Sequence, residues 1–294
     1  MDKLSKALAL AGAMMALICT AAAAEPQPGS FVDVPGGKLW VQTCGSGTKT
    51  LVLLHDGVLH SATWDDVWPT LCKSFRVIRY DRRGYGRSPE AKAAYSAVDD
   101  LQAVMRAEGV DHAVVVGASA GGGLAIDFTL AHPDEVDRLV VVGPSVSGLS
   151  YSKHFVDGVG AINARMAHGD MVGAIKQSWA FSRGDDADAI RLVKLVMASP
   201  QDVNHHDPAV PPPPAAPRLG QIKAPTLVLV GEDDIADNQS QAGVVEYGVP
   251  GAKRVVIRNA GHMLYMEQPA AFTDLVIPFA DGADSQPAPA SGRG

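Results

Sequence analysis

Residues 114–133, VVVGASAGGGLAIDFTLAHP, constrain this chain more than any other stretch. Val114–Val116 is a continuous β-branched run, the pattern of a strand buried on both faces. Leu124, Phe128 and Ala131 recur at helical spacing. Only Gly117-Ala118-Ser119-Ala120-Gly121, of the form G-x-S-x-G, separates strand from helix. A strand can turn into a helix over so few residues only if the apex residue accepts a strained backbone and the residues two before and two after it are too small to collide. Ser119 is then held above the sheet with Oγ exposed, and the free N–H of Ala120 at the helix start can face a developing oxyanion. In a chain with 30 glycines the five-residue string is unspecific alone; the flanking strand and helix give it weight. A dinucleotide loop is excluded because Ser119 stands where G-x-G-x-x-G needs its second glycine, and a phosphate loop because no G-K-[ST] follows.

The remaining chain reads as the sheet such a turn requires. Residues 31–34 and 38–43 alternate as a hairpin, and strands are predicted at 50–54, 76–80, 113–117, 138–142, 226–230 and 254–257. Helices are predicted at 64–72, 93–108, after Ser119, and at 266–280. Strands alternating with helices predict an α/β, mostly parallel, doubly wound sheet whose working groups lie beyond the strand C-termini. The loops at 55–61, 81–88, 117–121, 231–237 and 258–262 therefore converge on one rim. Residues 145–220 break the alternation with helical patterns at Phe155–Met166, Met171–Phe181 and Ala189–Met197, then a Pro-rich connector at 211–217. An insertion there reads as a helical lid. The expected organisation is a core of 25–144 and 221–280, a lid at 145–220 and a disordered tail at 281–294.

Lys3 and Lys6, an apolar run from Ala7 to Ile18 and the small residues up to Ala24 form a signal-peptide pattern over 1–24, with cleavage expected after Ala24 and a periplasmic or secreted product. The run is too short for a stable membrane anchor, and the bulky Ile18 argues against lipidation at Cys19. Export places Cys44 and Cys72 in an oxidising compartment. Both fall at the sheet end opposite the strand C-termini, so a structural disulfide is expected. The net charge of −7 argues against a nucleic-acid partner. No motif specifies an oligomeric state.

A serine hydroxyl needs an adjacent base, and the base needs a group that fixes its tautomer. His262 follows a strand in Asn259-Ala260-Gly261-His262, which puts it on the rim. Glu232, Asp233 and Asp234 follow the strand at 226–230; Asp234 is the first choice for the orienting acid, Asp233 the second, and Glu232 and Asp237 are outsiders. His55 is read as a loop brace and His60 as a candidate pocket residue. The adjacent His205 and His206 lack companions with metal-ligand spacing, so no metal is expected.

Five motifs, LVLLHDG at 51–57, YDRRGYGRS at 80–88, VGASAGG at 116–122, PTLVLVGEDD at 225–234 and NAGHMLYMEQP at 259–269, together resemble the α/β-hydrolase family over nearly all of residues 31–280. The resemblance implies an eight-stranded sheet with a cap after strand 6, a nucleophile at Ser119, an acid at Asp234, a base at His262, and oxyanion donors on the backbone of Gly57 and Ala120. It implies no cofactor and a small-molecule substrate. Relatives carry H-G-x where this chain has His55-Asp56-Gly57, which sets an acid beside the oxyanion position and leaves Gly57 against Val58 open as the donor. The arginine loop at 82–84 is expected to tie loops together. Carboxylic-ester or lactone hydrolysis is the leading expectation. Alternatives are cofactor-free perhydrolysis, C–C bond hydrolysis, amide or peptide cleavage, and a non-catalytic binding protein.

Overall fold

The computed structural model describes residues 28–170, 172–174, 176–177, 186–203 and 207–283. Eight strands, β1 (Ser30–Val34), β2 (Gly37–Cys44), β3 (Thr50–Leu54), β4 (Arg76–Tyr80), β5 (Ala113–Ala118), β6 (Val136–Val142), β7 (Thr226–Gly231) and β8 (Lys253–Ile257), form one sheet in the order β1-β2-β4-β3-β5-β6-β7-β8. β2 is antiparallel to β1 and to β4; every other pair is parallel. From β3 the chain first moves to β4 and then returns to place β5 on β3's other side. Strand order therefore reverses between β3 and β5, where Leu54 pairs with Gly117, and a crevice opens beyond their C-terminal ends.

β5 is buried along its whole length, as its unbroken apolar run requires. Val115 faces one apolar cluster, with Leu101 and Val104 of α2 (Ala97–Ala107), Phe128 of α3 (Ala120–Ala131) and Val245. Val114 and Val116 face the opposite cluster, with Leu71 of α1 (Trp68–Ser74), Trp64, Tyr265 and Phe272. The sheet is thus covered on both faces, and the polar ends of its strands remain as the place for chemistry.

Several helix boundaries differ from the expectations, each for a local reason. The segment predicted at 64–72 is a tight turn at Ser61–Trp64 followed by α1, which restarts with Pro69 in its first turn. The helix predicted from 93 starts at Ala97, because Ser96 caps it by accepting the N–H of Asp99 (3.1 Å) while Tyr95 bridges to Ala209. The last helix is broken at Gln268-Pro269 into α7 (Leu264–Glu267) and α8 (Pro269–Ala280). Pattern reading missed α6 (Ala236–Gly248), whose inner face carries the buried polar residues Asn238 and Gln241 and so blurs the apolar stripe.

Between β6 and β7 the described residues form α4 (Lys153–Ala167), α5 (Asp186–Ala198) and a short turn at Pro200–Val203, and Ala216–Gln221 leads back into the sheet. Met171, residues 178–181, His205 and His206 lie outside the described residues, as do residues 1–24, where a leader is expected, and residues from 284 onward. Residues 281–283, expected to be disordered, continue α8 as a turn, with the Asp281 N–H on Ile277 O (3.0 Å). No helix among the described residues is long and apolar enough to cross a membrane.

Cys44 and Cys72 are joined in a disulfide with Cα atoms 5.5 Å apart, as expected. Cys44 pairs with Val77 at the beginning of β4, so the link lies at the sheet end away from the crevice. It closes a loop with a sequence separation of 28. Replacing both cysteines with serine is expected to lower unfolding free energy by about 3–4 kcal/mol, read by urea denaturation, and to leave the crevice unaltered.

Candidate active site

Ser119 occupies the apex between β5 and α3 with φ 52° and ψ −116°, a conformation that non-glycine residues rarely adopt. The turn closes as tightly as its glycines permit. A Cβ on Gly117 would stand 2.2 Å from Gly121 O, and one on Gly121 would stand 2.4 Å from both Leu54 O and His55 O. The apex is held by its own backbone: Ser119 N–H donates to Val142 O (2.8 Å), and Ser119 O accepts from the N–H groups of Gly123 and Ser145 (both 3.0 Å).

The next loops deliver an acid–imidazole pair. Asp234, at the end of β7, is buried; its Oδ2 accepts from His262 Nδ1 at 2.9 Å. Its Oδ1 accepts from the Ile235 N–H and from Asn238 Nδ2, both at 2.8 Å. The competing carboxylates are elsewhere. Glu232 and Asp233 are exposed, and Glu232 accepts from the Asn259 N–H (3.2 Å). Asp237 accepts from the backbone N–H and hydroxyl of Ser152 (2.6 and 2.7 Å). Burial alone pulls His262 toward the neutral form, but Asp234, with Asp56 and Glu267 behind it, outweighs this and raises its pKa above the ordinary imidazole value.

Gly143 connects the pair to the apex. It follows Val142, which holds the Ser119 amide, and with φ +47° its missing Cβ would sit 3.0 Å from Asp234 Oδ2 and from His262 Nδ1 and Cε1. A larger residue would push the imidazole off this rim. Among the described residues Ser119 Oγ makes no hydrogen bond, so serine and imidazole share the rim without being joined; such contacts often tighten only when substrate binds.

Gly57 and Ala120 also come together. A Cβ on Gly57 would lie 3.2 Å from Ala120 Cβ, so the two residues stand side by side next to the apex. Val58 is ruled out as a free donor because its N–H, like that of Leu59, is taken by Asp56 Oδ1 (2.7 and 2.8 Å). Asp56 is therefore folded back into its own turn, and its Oδ2 accepts from Tyr265 Oη (3.3 Å). The acid that departs from H-G-x is thus engaged by its own turn and by Tyr265. Tyr85 Oη donates to Gly57 O (3.0 Å) and steadies the same peptide.

The remaining candidates are braces. His55 Nδ1 donates to Asp56 O (2.8 Å) and Nε2 accepts from the Arg82 N–H (3.0 Å); burial and the neighbouring Arg82 lower its pKa well below the ordinary value, so it is neutral. Arg82 donates to Asp56 O (2.6 Å). Arg83 grips the buried Asp100 through two bonds (2.6 and 2.8 Å) and reaches Pro35 O in the hairpin turn (2.7 Å). His60 is bonded to Asp202 (2.6 Å), which also accepts from the Gly86 N–H (2.7 Å) and so ties the insertion to the core. Sequence reading missed Asn238, Asp202 and Gly143. Asn238 stands four residues after Asp234, a spacing that carries meaning only once a helix is known to begin there.

The raised His262 pKa has a definite sign. Activity that needs a neutral imidazole is lost as pH falls through a limb above the ordinary value near 6.5. Asp234→Asn is expected to lower kcat/KM by about three to four orders of magnitude and to move that limb to lower pH, because the carboxylate that holds the proton is gone. The pH dependence of p-nitrophenyl acetate turnover checks both effects.

Comparison with known proteins agrees with this architecture. A family model described as "Alpha/beta hydrolase family" matches residues 51–275. The chain is 27% identical, over 87% of its length and 96% of the other, to a 2-hydroxy-6-oxononadienedioate/2-hydroxy-6-oxononatrienedioate hydrolase of Klebsiella pneumoniae. Its structure resembles carboxylesterase CesB of Bacillus subtilis (TM-score 0.74, 23% identity, 87% and 92% of the two chains). It also resembles the enol-lactonase of Burkholderia xenovorans (TM-score 0.73, 22% identity, 85% and 99%). With an eight-stranded sheet of this order, a strained serine at its switch point and a family match over most of its length, the chain belongs to the alpha/beta hydrolase family and is a hydrolase.

Proposed function

We propose that the protein is a serine hydrolase that cleaves a carboxylic ester or lactone of small to medium size through an acyl-enzyme. The observation that carries this reading is the 2.9 Å bond from His262 Nδ1 to the buried Asp234, which directs Nε2 away from the acid, on the rim where Ser119 is held in a strained turn. In the proposed reaction Ser119 Oγ attacks the carbonyl carbon and gives its proton to His262 Nε2. The oxyanion accepts from the Gly57 and Ala120 N–H groups, each such donor being worth about 3 kcal/mol. Collapse breaks the acyl–oxygen bond, and His262 returns the proton to the departing alkoxide. Water then attacks the acyl-serine, His262 takes its proton, and collapse regenerates the Ser119 hydroxyl.

The similarity to a carboxylesterase and an enol-lactonase supports the ester and lactone choice. The similarity to a 2-hydroxy-6-oxononadienedioate hydrolase favours a second reading, cleavage of a C–C bond beside a ketone by the same three residues. In both, the insertion between β6 and β7 acts as a lid, supported by the Asp202–His60 and Asp202–Gly86 bonds that fasten it to the rim.

A fluorophosphonate probe is expected to label the wild type and not Ser119→Ala. A graded panel of esters, lactones and 2-hydroxy-6-oxo-dienoates then separates the readings: turnover confined to the last class overturns ester hydrolysis, and labelling retained in Ser119→Ala overturns the nucleophile. We also propose export, on the strength of the leader pattern and the Cys44–Cys72 disulfide. N-terminal sequencing of protein recovered from cells is expected to begin at Glu25; a chain that retains Met1–Ala24 contradicts it.

A further inference from the structure

Asn238 lies in the first turn of α6, buried, and its carboxamide nitrogen touches both members of the acid–imidazole pair. Nδ2 is 2.8 Å from Asp234 Oδ1 and 2.8 Å from His262 Nδ1. The nitrogen end of the amide faces the pair, where it can donate to the charged Asp234 oxygen; the oxygen end would meet that carboxylate with another lone pair. One N–H is donated to Asp234 Oδ1. The His262 Nδ1 hydrogen goes to Asp234 Oδ2, which leaves Nδ2 pressed against the ring nitrogen with nothing to accept, since an amide nitrogen has no available lone pair.

This contact opposes the surrounding charges. The groups that favour a cationic ring come from three elements: Asp234 between β7 and α6, Asp56 in the loop after β3, and Glu267 in α7. Three carboxylates about one imidazole hold its second proton firmly, and a ring that stays protonated near neutrality is no base. The partial positive charge on the Asn238 amide hydrogens acts in the other direction. It draws charge from Asp234 and repels a cationic ring, while the hydrogen bond to Oδ1 keeps Oδ2 turned toward Nδ1.

We propose that Asn238 is a positioning residue that sets the basicity of His262, fixing Asp234 for the ring while weakening the ring's hold on its second proton. This rests on the serine-hydrolase reading above. Asp234 also accepts from the Ile235 N–H, an anchor that does not depend on Asn238, so the pair is expected to survive its replacement.

The test is the pH dependence of fluorophosphonate inactivation and of p-nitrophenyl acetate kcat/KM in Asn238→Leu and Asn238→Val. Both variants remove the amide with different volumes. The acid limb is expected to move up by about 0.5–1 pH unit in each, a three- to tenfold loss below the limb with the alkaline plateau within a few-fold of wild type. Asn238→Gln, which restores an amide, is expected to bring the limb back toward wild type. A limb that does not move, or moves down, overturns the proposal, as does a uniform loss at every pH that follows side-chain volume. Labelling that survives in Ser119→Ala would instead sink the underlying reading, so the two failures are distinguishable.

Discussion

The structure depends on one close approach, that of the N-terminal turn of α3 to the ends of β3 and β5. Gly121 lies against the carbonyls of Leu54 and His55 with no room for a methyl group, and Gly117 lies against Gly121 itself. Everything on the rim follows from that proximity. It sets Ser119 in a positive-φ conformation and brings Gly57 beside Ala120. A strained residue of this kind costs about 1–3 kcal/mol and persists only where its surroundings over-determine it. Here the surroundings are backbone bonds to Val142, Gly123 and Ser145 and a sheet buried on both faces.

The fold was legible because β5 is an unbroken apolar run and because strand-end loops in a parallel sheet must converge. Those two facts together with the family resemblance point to Ser119, Asp234, His262, Gly57 and Ala120, and the structure brings Asp234 to His262 and Gly57 to Ala120. Pattern alone left four carboxylates near β7. Burial separates them, because only Asp234 turns inward while its neighbours face solvent or the insertion. The role of Asp56 was equally unreadable, since a carboxylate that caps its own turn and one that points into the crevice have the same sequence.

What escaped the sequence was polar and helical. α6 hides its inner face behind Asn238 and Gln241, so no apolar stripe announces it, and with it goes an amide that touches both Asp234 and His262. The His60–Asp202 bond joins residues 142 positions apart and has no local signature. These are interactions of the second layer, and they decide how the first layer titrates and how the insertion is fastened.

The central claim is that a hydroxyl at the apex is activated by the imidazole and faces two backbone donors. A crystal structure of the fluorophosphonate adduct tests it most directly. The account predicts phosphorus bonded to Ser119 Oγ, its oxygen accepting from the Gly57 and Ala120 N–H groups at about 2.7–3.1 Å, and His262 Nε2 turned toward Ser119 Oγ. Phosphorus on another residue, or an oxygen directed to solvent with both amides unengaged, would contradict it.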